Sequence, residues 1–417
     1  MSRSELAEAV NAHIWATTGS RRVLDNDMIS RYERGLNRWP NADYRAGLCA
    51  VLGATSDSEL GFFPTRRGNT AVPKTPMRAD RKSAAGALQD VDTALGVAAR
   101  GWTTDDSTSA IDDLCNAVLS YAPTGTGNQH QQRRTHEPRH PMVEAFAAYQ
   151  DGSFERAAGH ATTALRNVDG ALDPRTRALT YQIASIVLAK AGQKDLAWIA
   201  ADRGVAAASV AGDQYVHLSL LRTTAFVMAV SGRADSALAL IDATARDFQP
   251  AMAQTSVAAS VYGTLLLTGA VLSAGQGNTH QSETYLDEAG RAASVIGHDR
   301  NELWTAFGPT NVAIHRANVA AAASDMDRAL TVGGNLDVDH MPTERRVRLH
   351  LDIARASLAV GDREDALATL VRAEASAPSQ VRHHHITKDV VNSLVETATR
   401  RPGVELTRLA HAVGVPA

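Results

Sequence analysis

Aromatic side chains are scarce in this chain, at 5 % of 417 residues. That argues against a core built on large rings. Alternating Val–Thr runs are also missing, so strands are not expected. Cysteine is nearly absent. Cys49 and Cys115 give neither a disulfide framework nor metal-ligand spacing, which suits a reducing cytosol. The opening MSRSELAEAV has no apolar signal region, and no run of 18 apolar residues follows, so no membrane partner is expected and the expected location is cytoplasmic. A net charge of −3 excludes a polycation, and any nucleic-acid contact must come from a local patch.

What is abundant is alanine, within an apolar share of 44 %. Small residues with few β-branched runs favour close-packed helices, and the expected class is all-α. The length predicts two or more folding units.

Two polar stretches divide the chain. Residues 63–82, containing PTRRGNTAVPKTPMRADRK, read as a basic linker with six cations (Arg66, Arg67, Lys74, Arg78, Arg81, Lys82) against Asp80. Residues 122–141, rich in Pro, Gly and Gln, read as a disordered linker. Between them, 83–121 is expected to form a short helical segment.

From 142 to 417 the sequence repeats. A turn of the form Gly-polar-x-acid/polar-x-Ala recurs as GSFERA (152), GQKDLA (192), GRADSA (232), GNTHQS (277), SDMDRA (324) and GDREDA (361). The intervals are 40, 40, 45, 47 and 37 residues, the sign of an α-solenoid of antiparallel helix pairs. Glycine would end the first helix, an acid would open the second, and alanine would let them approach. This part resembles tetratricopeptide-repeat (TPR) domains, with a longer spacing, few of the aromatic positions, and the alanine lost in the fourth copy.

Residues 1–62 have another character. SRSELAEAV predicts an amphipathic helix. DMISRYERG predicts a second, with Ile29 and Tyr32 or Glu33 inward and Ser30, Arg31 and Arg34 outward, closed by Gly35. NADYRAGLCAVLG predicts a third behind Pro40, ending at Gly53 and burying Tyr44, Leu48 and Leu52. The string ISRYERG and the Pro-led helix after it resemble the helix-turn-helix of phage-repressor-like (Xre-type) regulators. With the TPR-like part behind it, the whole resembles the actinobacterial Xre-family regulators that carry TPR domains.

The resemblance implies a double-stranded DNA partner and a homodimer on two half-sites. It places base-reading residues at Asn26, Asp27, Met28 and Arg31, where Asn pairs with adenine and Arg with guanine. Ser30, Arg34 and Arg38 fall on phosphate-facing positions, with Asn37 a weaker candidate. The family has a further helix before the first one here, so that helix is expected to be missing from this stretch. A 14-residue connection, AHIWATTGSRRVLD, is expected between Asn11 and Asn26. Trp15 would fold it onto the core, and Arg21 and Arg22 would make it a phosphate-contacting wing. Leu406 and Leu409, near the C-terminus, are candidates for the dimer interface.

Two histidine motifs point to metal only in form. HEPRH at 136–140 matches H-E-x-x-H, but Pro138 forbids the helix on which both histidines would share a face. His383, His384 and His385 would point in three directions on one helix, as a surface cluster with one ring packed inward. No metal, cofactor or enzymatic centre is expected, because nothing assembles a nucleophile, a base and an oxyanion site. In ELWTAFGPTNVAIHRANVAAAA (302–323), read as one interrupted helix, Asn311, His315 and Asn318 form a polar stripe, with Trp304 and Phe307 ahead of it. Trp304, Asn311, His315 and Asn318 are therefore the candidate groove for a peptide, small molecule or protein segment, the alternative being that the stripe satisfies neighbouring repeats. The function expected is a ligand-sensing transcriptional regulator. The alternative is a TPR-like adaptor with an N-terminal module that does not bind DNA.

Overall fold

The computed structural model describes residues 2–18, 24–33, 40–54, 57–60, 62, 105–120, 140–166, 173–398 and 402–416. These form nineteen α-helices and no strand, apart from an isolated bridge between Arg300 and Phe307. The basic linker at 63–82 and all but the last two residues of the linker at 122–141 lie outside the described residues. The chain divides into two compact units, Met1–Asp80 and Arg81–Ala417.

The first unit has three helices, α1 (Arg3–Thr18), α2 (Asn26–Glu33) and α3 (Ala42–Leu52), then a 3₁₀ turn at Asp57–Leu60. Ala7, Val10 and Ile14 of α1 meet Leu24, Ile29, Tyr44, Leu48 and Phe62 in one small core. The Asn11 amide ties the chain just ahead of α2. Its Nδ2 donates to the Leu24 carbonyl at 2.8 Å, and its Oδ1 accepts from the Leu24 N–H at 2.8 Å. Asp25 accepts from the Met28 N–H at 2.8 Å and so caps α2. Three expectations are corrected here. α1 runs on to Thr18, so only residues 19–25 connect it to α2. Trp15 therefore sits on α1, and it is exposed rather than folded onto the core. Leu52, in the last turn of α3, is exposed too.

The second unit is a solenoid of helix pairs. α4 (Asp105–Leu119) packs Ile111, Leu114 and Val118 into the main core, so it belongs to the solenoid rather than to a separate segment. Six pairs follow. The first three are α5 (Pro141–Gln150) with α6 (Phe154–Arg166), α7 (Pro174–Lys190) with α8 (Lys194–Ala211), and α9 (Gln214–Val230) with α10 (Ala234–Phe248). The next three are α11 (Ser256–Gly275) with α12 (Thr279–Ile296), α13 (Pro309–Ala322) with α14 (Met326–Gly333), and α15 (Thr343–Ala359) with α16 (Arg363–Ser376). Then come α17 (Pro378–His383), α18 (His385–Glu396) and α19 (Val404–Ala412).

All six turns are built alike. The first motif residue is left-handed, with φ of 76° to 94° in the five glycine copies and 60° at Ser324. The next N–H reaches back five residues to a carbonyl at 2.8–2.9 Å, as Gln193 does to Leu188 and Asp325 to Ala320. That is the Schellman closure, which satisfies carbonyls the helix end would leave open. Five residues past the left-handed one comes the small residue: Ala157, Ala197, Ala237, Ser282, Ala329 and Ala366 are all buried. Ser282 replaces alanine at no loss because its hydroxyl donates to the Ala270 carbonyl at 2.7 Å.

α11 is the one described helix long and apolar enough to cross a bilayer, yet 89 % of its apolar window is buried inside the solenoid. Residues 302–308 do not extend α13. They form a loop with a 3₁₀ turn, in which Leu303, Trp304 and Ala306 have positive φ. Phe307 drives fully buried into α11 over Gly263. The solenoid curls until its ends meet: Ser379 Oγ donates to Glu155 of α6 at 2.7 Å, and α15 packs on α5. Leu406 and Leu409 lie inside the terminal core with Leu370 and Leu394, so they are not a dimer contact.

A β-carbon on Gly263 would stand 1.9–2.5 Å from the Phe307 ring. Gly263→Ala should therefore lose about 1–3 kcal/mol of stability through overpacking. Gly159→Ala, on α6 with nothing within 4 Å of the new carbon, should gain about 0.5–1 kcal/mol. Urea unfolding of both variants checks the pair.

Candidate functional site

In the first unit, α2 presents Asn26 to solvent while Ile29 faces the core. Met28, Ser30 and Tyr32 are half-buried, and Tyr32 meets the Phe62 ring edge-on at 5.9 Å. Glu33, expected inward as an alternative to Tyr32, is exposed and paired with Arg3 at 2.7 Å. Such a surface pair contributes little. Asp27 and Arg31 lie on α2, and their side chains are outside the described residues. So are Arg21, Arg22, Arg34, Asn37 and Arg38 as whole residues.

In the second unit, the stripe of α13 is only partly the groove expected of it. Trp304, His315 and Asn318 line a cavity of about 130 Å³ on the inner face of the solenoid. Asn311 is fully buried and is not in that lining, and neither atom of its amide has a partner. Asn318 donates from Nδ2 to Asp352 at 2.8 Å, leaving its Oδ1 without a donor. The His315 ring bonds through Nδ1 to the Asn311 carbonyl at 2.9 Å. Burial, and then the Arg345 charge, push the His315 pKa down to about 3, so the ring is neutral at physiological pH.

One wall is aromatic. Trp304 stacks on Phe146 of α5 with ring centres 4.2 Å apart and planes 11° from parallel. The loop carrying Trp304 is tied to α5 by a reciprocal amide pair. Gln150 Nε2 donates to Asn301 Oδ1 at 2.9 Å, and Asn301 Nδ2 donates to Gln150 Oε1 at 2.8 Å. The floor is ionic. Arg345 pairs with Glu344 at 2.8 Å, and Arg348 with Asp352 at 3.3 Å. Lys190 lies 5.6 Å from the Phe226 ring centre, in cation–π range. Burial would raise the Glu344 carboxyl, but Arg345, Lys190 and Arg348 outweigh it and hold it below its usual value. Burial, followed by the Glu344 charge, pushes the Tyr149 phenol far up. Burial and the Arg345 charge bring Arg222 down to about 10.

Sequence reasoning missed Lys190, Arg222, Glu344, Arg345 and Arg348. They come from three helices, α7, α9 and α15, that only the curl of the solenoid brings together. The one local signal was ERRVRLHLD (344–352), where charges alternate with residues that the helix buries. The three histidines also depart from expectation. His384 and His385 are both buried, and His384 sits in the break between α17 and α18. Its Nδ1 accepts the Ile386 N–H at 3.2 Å and its Nε2 meets Arg348 at 2.9 Å. His140, the last residue of HEPRH, caps α5; His136, Glu137, Pro138 and Arg139 lie outside the described residues. Among the described residues no group of His, Cys, Asp and Glu could hold a metal ion.

Compared with known proteins, the chain matches no family model and no curated sequence.

Burial brings the Lys190 ammonium down to about 8 from an ordinary 10.5. Between those values the unfolded chain holds the proton that the folded chain has lost, so this group adds stability as pH rises through that window. Glu344, Arg345 and Arg348 face it, and they are common to the wild type and Lys190→Met. The stability advantage expected of Lys190→Met should be largest near pH 7 and shrink toward about pH 10, read as the difference in Tm between the two proteins.

Proposed function

We propose that this chain is a sequence-specific DNA-binding regulator whose repeat unit senses a ligand. The observation that carries the reading is the presentation of α2. It is a short helix, capped by Asp25, anchored by the Asn11 clamp and Ile29, and opening on an exposed Asn26. A reading helix needs such a fixed register, because its first residues must meet base edges within hydrogen-bond distance. The resemblance of ISRYERG and the following Pro-led helix to Xre-type regulators supports the same role for Asp27, Met28 and Arg31, with Ser30, Arg34, Arg38, Arg21 and Arg22 on phosphate. The cation-rich cavity of the second unit, with its aromatic wall, supports a sensor role for that unit. The dimer expected of such modules is part of the proposal, with its contact away from Leu406 and Leu409.

Duplexes enriched by the protein from a random pool provide the test, scored by gel shift. Wild type should bind saturably, with log K falling against log salt by about 0.9 for each phosphate contacted. Arg31→Ala and Asn26→Ala, each of unchanged helicity, should lose about 1–3 kcal/mol on the selected sequence. No enrichment and no saturable shift at low salt would sink the reading in favour of the adaptor.

A further inference from the structure

The lining of the cavity in the repeat unit is rich in cations. Among the described residues, Lys190, Arg222, Arg345 and Arg348 line it against one carboxylate, Glu344. Asp352 answers Arg348 from behind the lining. Four cations and two carboxylates leave a net charge of +2 among these six groups. Removing ions from water is costly unless partners restore the loss. Here the Nε–H donors of Arg222 and Arg345 are buried with no hydrogen-bond acceptor. Two buried guanidinium donors without acceptors are the kind of group that an anion's oxygens satisfy.

The rest of the lining limits what that occupant is. Phe146, Phe226, Trp304, Ile314, Leu267 and Val271 supply an apolar wall facing the cations. At about 130 Å³ the space is close to the roughly 150 Å³ that takes up a benzene ring. It is well below the roughly 300 Å³ at which sites for drug-sized ligands begin. A peptide of several residues does not fit. Guanidinium groups grip carboxylate and phosphate oxygens in a planar two-point fashion, and an ammonium adds a point charge.

We propose that this cavity binds a small organic anion, with a carboxylate or phosphate head held by Arg222, Arg345 and Lys190 and a compact apolar body lying against Phe146, Phe226 and Trp304. The proposal deepens the sensor reading, on which its regulatory consequence rests, whereas the binding itself needs no DNA. Trp304 is the coupling element. It sits on the left-handed stretch of the loop that ties α13 to α5, so an occupant touching it acts on the closure of the solenoid.

The test uses the full chain without DNA, at low ionic strength. Benzoate and phenyl phosphate are the two probes, inorganic phosphate is the head alone, and benzyl alcohol is the uncharged body. Saturable binding by calorimetry and a matching rise in Tm are expected for at least one of the two probes. Whichever of the two binds more tightly identifies the head group. Inorganic phosphate should bind about tenfold more weakly or worse, and benzyl alcohol should give no shift. Arg222→Met should weaken the better probe by at least about tenfold while leaving the unliganded Tm equal to or above that of wild type. A purely structural arginine would do the reverse, lowering the unliganded Tm. The proposal is overturned if neither probe binds saturably up to about 10 mM, or if Arg222→Met answers the better probe as wild type does. The two readings fail separately: an anion that binds without altering the DNA complex removes the regulatory consequence, and DNA binding with an empty cavity removes the ligand.

Discussion

Close approach of alanine-rich helices is the constraint from which the second unit follows. With alanine or serine five residues past every turn, two helices can pack backbone to backbone. The chain then needs few large rings, and it has few. Each such contact buries little apolar area, so no single pair is stable alone and stability comes from stacking pair on pair. The turn has to be equally economical. A left-handed residue followed by an N–H returned to the carbonyl five residues back closes each helix without a side chain. Ser324 shows that the geometry, rather than glycine itself, is what the repeat requires. A serine there bears the cost of the left-handed region, and in return the hairpin of α13 and α14 keeps the register of the others.

That same economy explains what the sequence let one read. The six turns are local, each a fixed string, so the all-α solenoid could be laid out from residue spacing. The helix ends at Gly53 and at the motif glycines are written in single residues and came through intact. The extent of α1 was not, since a polar Thr–Thr end looks the same whether it closes a helix or opens a loop. α4 was set apart because its sequence lacks the turn motif, although its apolar face is the one that covers the first pair. The cavity was the least legible part. Asn318, His315 and Trp304 are near each other in sequence and could be grouped, whereas Lys190, Arg222 and Arg348 are separated by up to 158 positions. Only a curl that brings α15 against α5 joins them, and curvature is a sum of small rotations that no single repeat encodes.

Insertion of the Trp304 loop is the point where the repeat rule is deliberately broken. The interval between the fourth and fifth turns is the longest of the five, and the extra residues go into the stretch before α13. Three non-glycine residues there hold positive φ, each at a cost of about 1–3 kcal/mol. They persist because the loop is fixed at both ends. Phe307 is locked over Gly263, and Asn301 is held by Gln150. Glu302 adds a third anchor, accepting from Ser256 at 2.6 Å and from Ser260 at 3.3 Å. Strain on a loop, with firm anchors on either side and an aromatic ring over a charged cavity, is the arrangement expected of an element with two available states.

Energetically, a ligand moves such an element only by as much as it prefers one state over the other. The stack of Trp304 on Phe146 joins the fifth pair to the first across the mouth of the curl, so any preference expressed at Trp304 is also a preference for how tightly the solenoid closes. Excess positive charge in the cavity works in the opposite sense when the site is empty, since like charges held in a low-dielectric pocket favour opening. An anion would cancel that repulsion and bring the two arginines their missing acceptors in one step. Charge excess and loop strain are thus two halves of one balance, and both are carried by residues the repeat architecture itself does not need.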